Sequence, residues 1–276
     1  MTIFSVLTPD IYEQIYSSKS YLAEFVYISK QFEVFIKEGN SSELCIEFGP
    51  GTGSMTDYVR KVFTNYTLVE PSGSFCDHLA HKYIDQTSLH IYQTSMQEYV
   101  LKILVPKSPL LACVFANFNV INYISQLEFH SFLTLLGSCL NVGSRFVFDT
   151  WSLEYVHNMP FCQELVTAYP DNQESSDCPI ITRRACSSFD SDMSKLTIEF
   201  EFTQLVENVS TFLGNEVHEI YPFDINALKY AIGLAKQWVI ISVLPHEAVR
   251  GESFHNQASD ISFSNQRNWY ITLLRV

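Results

Sequence analysis

The sequence predicts a doubly wound α/β domain interrupted by an antiparallel β-meander, and three observations carry that expectation. Between residues 44 and 150, short apolar runs alternate with helical segments at the spacing of parallel strands joined by right-handed crossovers. A glycine turn, Gly49-Pro50-Gly51-Thr52-Gly53, lies between the first of those strands and the next helix. After Trp151 the rhythm changes to strands on short connections. With 276 residues, 47% of them hydrophobic and 17% charged, and a mean hydropathy of +0.05, the chain can bury a sizeable core. Disorder of the whole chain is excluded.

The elements follow in order. Residues 10–37 read as one helix, because Tyr21, Leu22, Phe25, Ile28, Phe32 and Phe35 recur at near-helical spacing and Gly39-Asn40 offers a stop. Residues 44–48 form a buried strand and 54–63 a helix. A second strand at 66–70 leads into a helix through Phe75 and Leu79. Strands at 89–92 and 110–118, a helix at 126–140 and a strand at 145–150 complete the first alternation. Residues 160–178, with Pro160, Pro170, Asp171 and Asn172, have loop composition. Strands at 180–189, 196–206 and 212–221 make the meander. A helix at 225–235 and strands at 238–244 and 269–275 close the chain. The expected division is therefore an α/β domain of residues 1–157 and 222–276 with an inserted lobe of residues 158–221.

Composition removes several function classes. Thirty acidic against 17 basic residues give a net charge of −13, spread along the chain, which repels a nucleic-acid backbone. Seven scattered cysteines without a CxxC pair read as reduced core thiols, hence a cytoplasmic protein, and no clustered ligand set suggests a metal. No apolar run reaches membrane-spanning length, and the first ten residues lack the basic start of a secretory signal. Aromatic residues, at 14%, exceed what the core needs, and some are expected to line a pocket.

The sharpest motif is Glu47-Phe48-Gly49-Pro50-Gly51-Thr52-Gly53. Glycine lets the backbone approach a ligand, and the following helix start offers free N–H groups. Glu70 lies 23 residues after Glu47, at the end of the next strand, where a carboxylate can hold a ribose diol. Together they point to an adenosine-containing ligand. The position three beyond Gly53 is Thr56 rather than the third glycine of a nicotinamide site, and an acidic residue opens the motif.

In that respect the chain resembles the class I S-adenosylmethionine (SAM) dependent methyltransferases, over essentially its whole length. It looks most like the small-molecule N-methyltransferases that include amino-sugar N,N-dimethyltransferases, with glycine N-methyltransferase more distant. Four stretches carry the narrower match. Tyr12-Glu-Gln-Ile-Tyr16-Ser-Ser-Lys19-Ser-Tyr21-Leu-Ala-Glu24 resembles that family's first helix, where tyrosine and a basic residue close over the cofactor. Phe118-Asn119-Val120-Ile121-Asn122-Tyr123 resembles the segment lining the transfer site, and Phe148-Asp149-Thr150-Trp151 the acid/aromatic strand end. The fourth is the inserted meander ending in Glu216-Val217-His218-Glu219. Arg267-Asn268-Trp269-Tyr270 is similar to the family's final strands. Where the family often has Gly-Asp-Met, this chain has Thr94-Ser95-Met96-Gln97.

The resemblance implies a Rossmann-like seven-stranded methyltransferase sheet and an enzyme that moves the SAM methyl group to a small-molecule acceptor, an amine nitrogen first, leaving S-adenosylhomocysteine. Expected cofactor residues are Tyr12, Tyr16, Lys19, Glu47, Gly49, Gly51, Gly53, Glu70, Pro71, Ser95, Met96 and Asn117. Ser95 or Gln97 would bond the base. Tyr123, Glu216, His218 and Asp149 are the catalytic candidates. Against these stand a core tyrosine packed on the sheet, a solvated strand face for the Glu216–His218 pair, and a cap for Asp149. Asn119, Asn122, Trp151, Arg183 and Arg267 are expected at the acceptor, where Arg183 and Arg184 would hold a phosphate or carboxylate or else be surface charge. An O- or C-methyltransferase, or an idle relative that only binds SAM or its product, are the alternatives. Edge strands in the meander suggest a homodimer.

Overall fold

A computed structural model describes residues 6–17, 19–37, 44–107, 109–158, 163–168, 179–249 and 267–276, with side chains described at all of these except 34–37 and 163–168. Instead of one N-terminal helix there are two, α1 (Pro9–Tyr16) and α2 (Leu22–Lys37). The apolar stripe read from the sequence starts only at Tyr21; Ser17 and Ser20 turn their hydroxyls to the Gln14 carbonyl and the Leu22 N–H, competing with helix continuation. Thr8 caps α1 by accepting from the Ile11 N–H, with Pro9 at the first helical position.

The parallel core is built from β1 (Leu44–Phe48), β2 (Asn65–Glu70), β3 (Leu89–Gln93), β4 (Ala112–Ala116) and β5 (Arg145–Trp151). Two later strands, β10 (Trp238–Pro245) and β11 (Asn268–Arg275), complete a seven-stranded sheet of order β10-β11-β5-β4-β1-β2-β3. All neighbours are parallel except β11, which runs antiparallel to both β5 and β10. Every residue of β4 is buried, as a strand covered on both faces requires. One face packs Phe129, Phe132, Leu133 and Leu136 of α6 (Gln126–Cys139) and Leu228 and Ile232 of α8 (Ile225–Leu234). The other packs Tyr27, Ile28 and Phe32 of α2 with Leu79 of α4 (Gly73–Lys82). A capping box between Ser125 and Glu128 starts α6.

Chain order diverges on either side of β1 and β4, so the crevice beyond their carboxyl ends is the topological switch point. The helix expected at 54–63 shrinks to one turn, α3 (Thr56–Val59), and a short helix the sequence did not suggest, α5 (Met96–Tyr99), continues into a π-helical stretch at Val100–Leu104.

The inserted lobe has four strands rather than three: β6 (Gln163–Ala168), β7 (Ile180–Asp190), β8 (Lys195–Val206) and β9 (Val209–Ile220), antiparallel in that order. β6 falls in a stretch read as loop, because its flanking prolines and polar residues masked a six-residue strand. Short helix α7 (Leu153–Asn158) and the bridge Ser152–Phe223 bring the chain into and out of the lobe beside β5, and α9 (His246–Val249) follows β10. No described helix is long and apolar enough to cross a membrane. Cys45, Cys76, Cys113, Cys139 and Cys186 are free thiols; Cys162 and Cys178 lie outside the described residues.

Candidate active site

A cavity of about 240 Å³ opens between the carboxyl ends of β1, β2 and β4, helix α1 and the inner face of the inserted sheet. Of the residues expected at the site, Tyr12, Tyr16, Gly49, Gly51, Glu70, Pro71, Met96, Asn119, Tyr123, Trp151, Arg183 and His218 line it.

The turn after β1 has φ of +65° at Gly49 and +57° at Gly51, values a side chain rarely tolerates. A Cβ on Gly49 would stand 2.4 Å from Cγ2 of Val120, whereas on Gly51 it would meet only Tyr12, at 3.8 Å. Gly51 therefore has only the Tyr12 ring in van der Waals reach and is held to glycine by its φ rather than by crowding. At Gly53 a Cβ would strike the Tyr83 hydroxyl at 2.5 Å, so this third glycine serves the packing of α4. Glu70 is buried at the end of β2; one carboxylate oxygen accepts the Gly51 N–H at 3.3 Å and the other the Ser72 N–H at 3.0 Å. Burial, opposed by those two N–H groups, pushes its pKa up to about 7.

Glu47 points elsewhere. Its Oε2 accepts from Thr56 at 2.6 Å and Tyr66 at 2.9 Å, bracing the turn, and burial raises its pKa to about 7 against those hydrogen bonds. Glu47 and Asn117 border a separate hollow of about 20 Å³, with Tyr12 and Tyr21. Asn117 accepts there from the Tyr270 hydroxyl at 2.8 Å. Ser95 caps α5 through the Glu98 N–H and leaves only its neighbour Met96 on the cavity. Lys19 places Nζ 3.1 Å from the centre of the Phe118 ring and 3.9 Å from Glu24.

Phe118 and Asn119 both have positive φ, +72° and +61°. For a bulky residue such as Phe118 this costs about 1–3 kcal/mol and must be held by its surroundings. Asp149 does part of this, accepting the Asn119 N–H at 2.7 Å. Burial raises the Asp149 pKa to about 6, while that N–H, Lys19 and His246 pull it down. Asn122, expected at the acceptor, does not reach the cavity. It is fully buried, donating to Thr150 Oγ1 and the Tyr221 carbonyl and accepting from the Trp151 N–H, so it ties the turn at Val120–Tyr123 to β5 and to the end of the insert. Arg267 is exposed and stacks on Trp151 at 4.9 Å.

From the insert, Glu216 and His218 face inward, 3% and 8% exposed, which excludes a solvated strand face. The Tyr123 hydroxyl and His218 Nδ1 are 2.6 Å apart, and His218 Nε2 lies 3.3 Å from Glu216 Oε2. Burial alone would raise the Glu216 pKa, but hydrogen bonds from His218 and from the Leu7 and Val6 N–H groups outweigh it and hold the carboxylate below its usual value. With Nε2–H donating to Glu216, Nδ1 is placed to accept from the Tyr123 hydroxyl. Burial, then the charges of Tyr16, Glu216 and Glu70, push the Tyr123 pKa up, so its proton stays on. Tyr123 as a residue is 39% exposed even though its hydroxyl is engaged. Arg183 is also inside, 8% exposed, donating to the Tyr16 hydroxyl at 2.7 Å with its guanidinium 5.1 Å from the Phe200 ring; Arg184, on the opposite face of β7, is exposed.

Phe118 and Val120, from the segment expected to line the site, complete that side; the rest of the wall was missed: Leu7, Phe48, Val69, Ser72 and Phe75, with Ile198, Phe200, Phe202 and Ile220 from the insert. A signal existed for the insert, since Ile198-Glu199-Phe200-Glu201-Phe202 alternates apolar and acidic residues and puts its apolar side on one face.

No family model matches the chain, and no curated protein matches it. Solved structures do. A SAM-dependent methyltransferase from Clostridium acetobutylicum superposes with a TM-score of 0.69 at 13% identity, covering 96% of each chain. The SAM-bound amino pentose methyltransferase CalS10 from Micromonospora echinaspora gives 0.67 at 13% identity, over 96% of this chain and 97% of its own. The sugar N-methyltransferase KedS8 from Streptoalloteichus gives 0.67 at 14% identity, over 100% of this chain and 96% of its own. The seven-stranded sheet with its inserted antiparallel lobe is the fold that the chain shares with these SAM-dependent methyltransferases.

Proposed function

We propose that this chain is a SAM-dependent methyltransferase acting on a small-molecule acceptor, with an amine nitrogen as the methylated atom. The observation that carries the reading is one cavity with two dissimilar walls: the Gly49–Gly51 turn with Glu70 on one side, and the Tyr123–His218–Glu216 chain on the other.

The residues present fit the cofactor. Gly51 leaves room a Cβ would narrow, and Glu70 is a buried carboxylate suited to a ribose diol. Pro71 and Met96 border the same wall, and Tyr12 and Tyr16 offer aromatic faces to a sulfonium. Lys19 is the cation suited to the cofactor's carboxylate. When bound, SAM supplies an electrophilic methyl group. The chain's own contribution is to orient the acceptor, exclude water and move one proton. Tyr123 Oη accepts the acceptor's N–H proton as its own passes to Nδ1 of His218, and Glu216 balances the resulting imidazolium. Trp151 and Phe200 give the acceptor an apolar bed, and Arg183 suits an anionic group on it. The named sugar N-methyltransferase among the structural neighbours supports nitrogen over oxygen or carbon. Free buried thiols at Cys45, Cys76, Cys113 and Cys139 support a reducing, cytoplasmic setting.

Calorimetric titration with S-adenosylhomocysteine, with NAD as control, tests the reading. Saturable binding of the first compound alone is expected, abolished in Gly51→Arg and weakened at least tenfold in Glu70→Ala. No binding by folded wild-type protein overturns it. Binding without turnover of any amine, alcohol or carbon acid selects the idle relative.

A further inference from the structure

Glu216 makes two connections with its two oxygens. Oε1 accepts the N–H groups of Val6 and Leu7, each at 2.7 Å, and Oε2 lies 3.3 Å from His218 Nε2. Leu7 is itself part of the cavity wall and packs with Ile15, Ile181 and Phe202. Val6 lies over Gly214, where a Cβ would stand 2.6 Å from its Cγ2. The same carboxylate thus clasps the segment ahead of α1 onto β9 and orients the imidazole that bonds Tyr123.

We propose that Glu216 is a positioning residue that couples docking of the N-terminal segment to the tautomer of His218, so that the Tyr123–His218 pair is set for proton transfer only when Leu7 closes the cavity wall. The physical reason is rotameric. Two main-chain donors on Oε1 fix the plane of the carboxylate, and with it the direction of Oε2. Without them the carboxylate can rotate to find other donors, and the imidazole loses the acceptor that selects Nε2–H. The other titratable or charged groups around the cavity, Tyr12, Tyr16, Glu70 and Arg183, belong to α1, the end of β2 and β7. The proposal rests on the reading of Tyr123 and His218 as the proton-handling pair.

The test uses full-length protein with 15N-labelled histidine, the His218 ring signals being assigned by their loss in His218→Gln. In the wild type the two ring nitrogens are expected to be well separated, with the proton on Nε2. Leu7→Pro deletes one donor to Glu216 Oε1, and Gly214→Ala pushes on Val6; both leave the Glu216 and His218 side chains themselves in place. Each is expected to draw the two signals together, as Glu216→Gln does; in Gly214→Ala, which lies outside the cavity wall, binding of S-adenosylhomocysteine is expected to change less than threefold. Val6→Ala added to Gly214→Ala removes the clash with Val6 and should restore the separation in part, the φ of +144° at position 214 straining alanine in either background. Circular dichroism melts establish which variants fold, and either of the two N-terminal perturbations suffices for the decision. Wild-type ring signals in folded Leu7→Pro or Gly214→Ala overturn the coupling. Failure of the wild type to bind S-adenosylhomocysteine instead sinks the functional reading, and the ring signals still judge the coupling.

Discussion

Glu47 and Glu70 show how two buried carboxylates of similar titration take different work from their surroundings. Glu70 faces the cavity and holds only two N–H donors, so an incoming diol would add donors to its charged form and lower its pKa from about 7. Affinity for S-adenosylhomocysteine should therefore rise with pH through about 7 and level off above it. Calorimetry between pH 5.5 and 8.5 checks this, and in Glu70→Gln the slope should vanish along with most of the affinity. Glu47 is a stability group. Its folded pKa lies above its unfolded value, so the native state retains a proton that the unfolded chain releases. The protonated carboxyl favours folding below about pH 4.5, and that advantage is lost as pH rises to about 7. Gln at this position can still accept from Thr56 and Tyr66 through its one carbonyl oxygen, as both now bond Oε2. Urea melts should show Glu47→Gln gaining stability on the wild type between pH 5 and 8, by on the order of 3 kcal/mol. Both acids were singled out in the sequence by their spacing around the glycine turn. Their division of labour was not legible, because it depends on Thr56 and Tyr66 converging from α3 and β2.

At the scale of elements, the turn Val120–Tyr123 after β4 is the part of the site most dependent on its neighbours. Phe118 and Asn119, just ahead of it, carry positive φ; Asp149 holds Asn119 from the adjoining strand, and Asn122 ties the turn to that strand and to the end of the insert. Asn122→Ala leaves the Tyr221 carbonyl and the Trp151 N–H without this buried partner and should cost about 2–4 kcal/mol in a denaturant melt. It should also weaken acceptor binding indirectly, through Tyr123. The sequence put Asn122 in the segment that borders the cavity but did not show which way it points: a 3-10 turn sends Asn122 and Tyr123 in different directions, and neither apolar periodicity nor composition encodes that. The split between α1 and α2 has a local cause in the serines between them, and was concealed by tyrosines spaced evenly across the break.

For the whole molecule, the cavity is made by two sheets, the α/β sheet contributing the glycine turn and the insert contributing Arg183 and His218, with Glu216 behind His218. A ligand bridging them should stabilise the native state as a unit. At a hundredfold excess over its dissociation constant, S-adenosylhomocysteine should add about 2.7 kcal/mol and raise Tm by roughly 5 °C, whereas NAD should leave it unchanged in a fluorescence melt. The order of strands and helices, the glycine turn at the switch point and the inserted antiparallel lobe were determined by the sequence itself, since each rests on local periodicity, turn chemistry and spacing along the chain. The fourth insert strand, the inward face shared by Glu216 and His218, the burial of Arg183 and the convergence of Tyr123 with His218 were decided only by the tertiary structure. Those pairings join residues up to 210 positions apart, as in the contact of Val6 with Glu216. No local signal specifies such contacts; they follow from the need of polar groups buried between two sheets to find hydrogen-bond partners there.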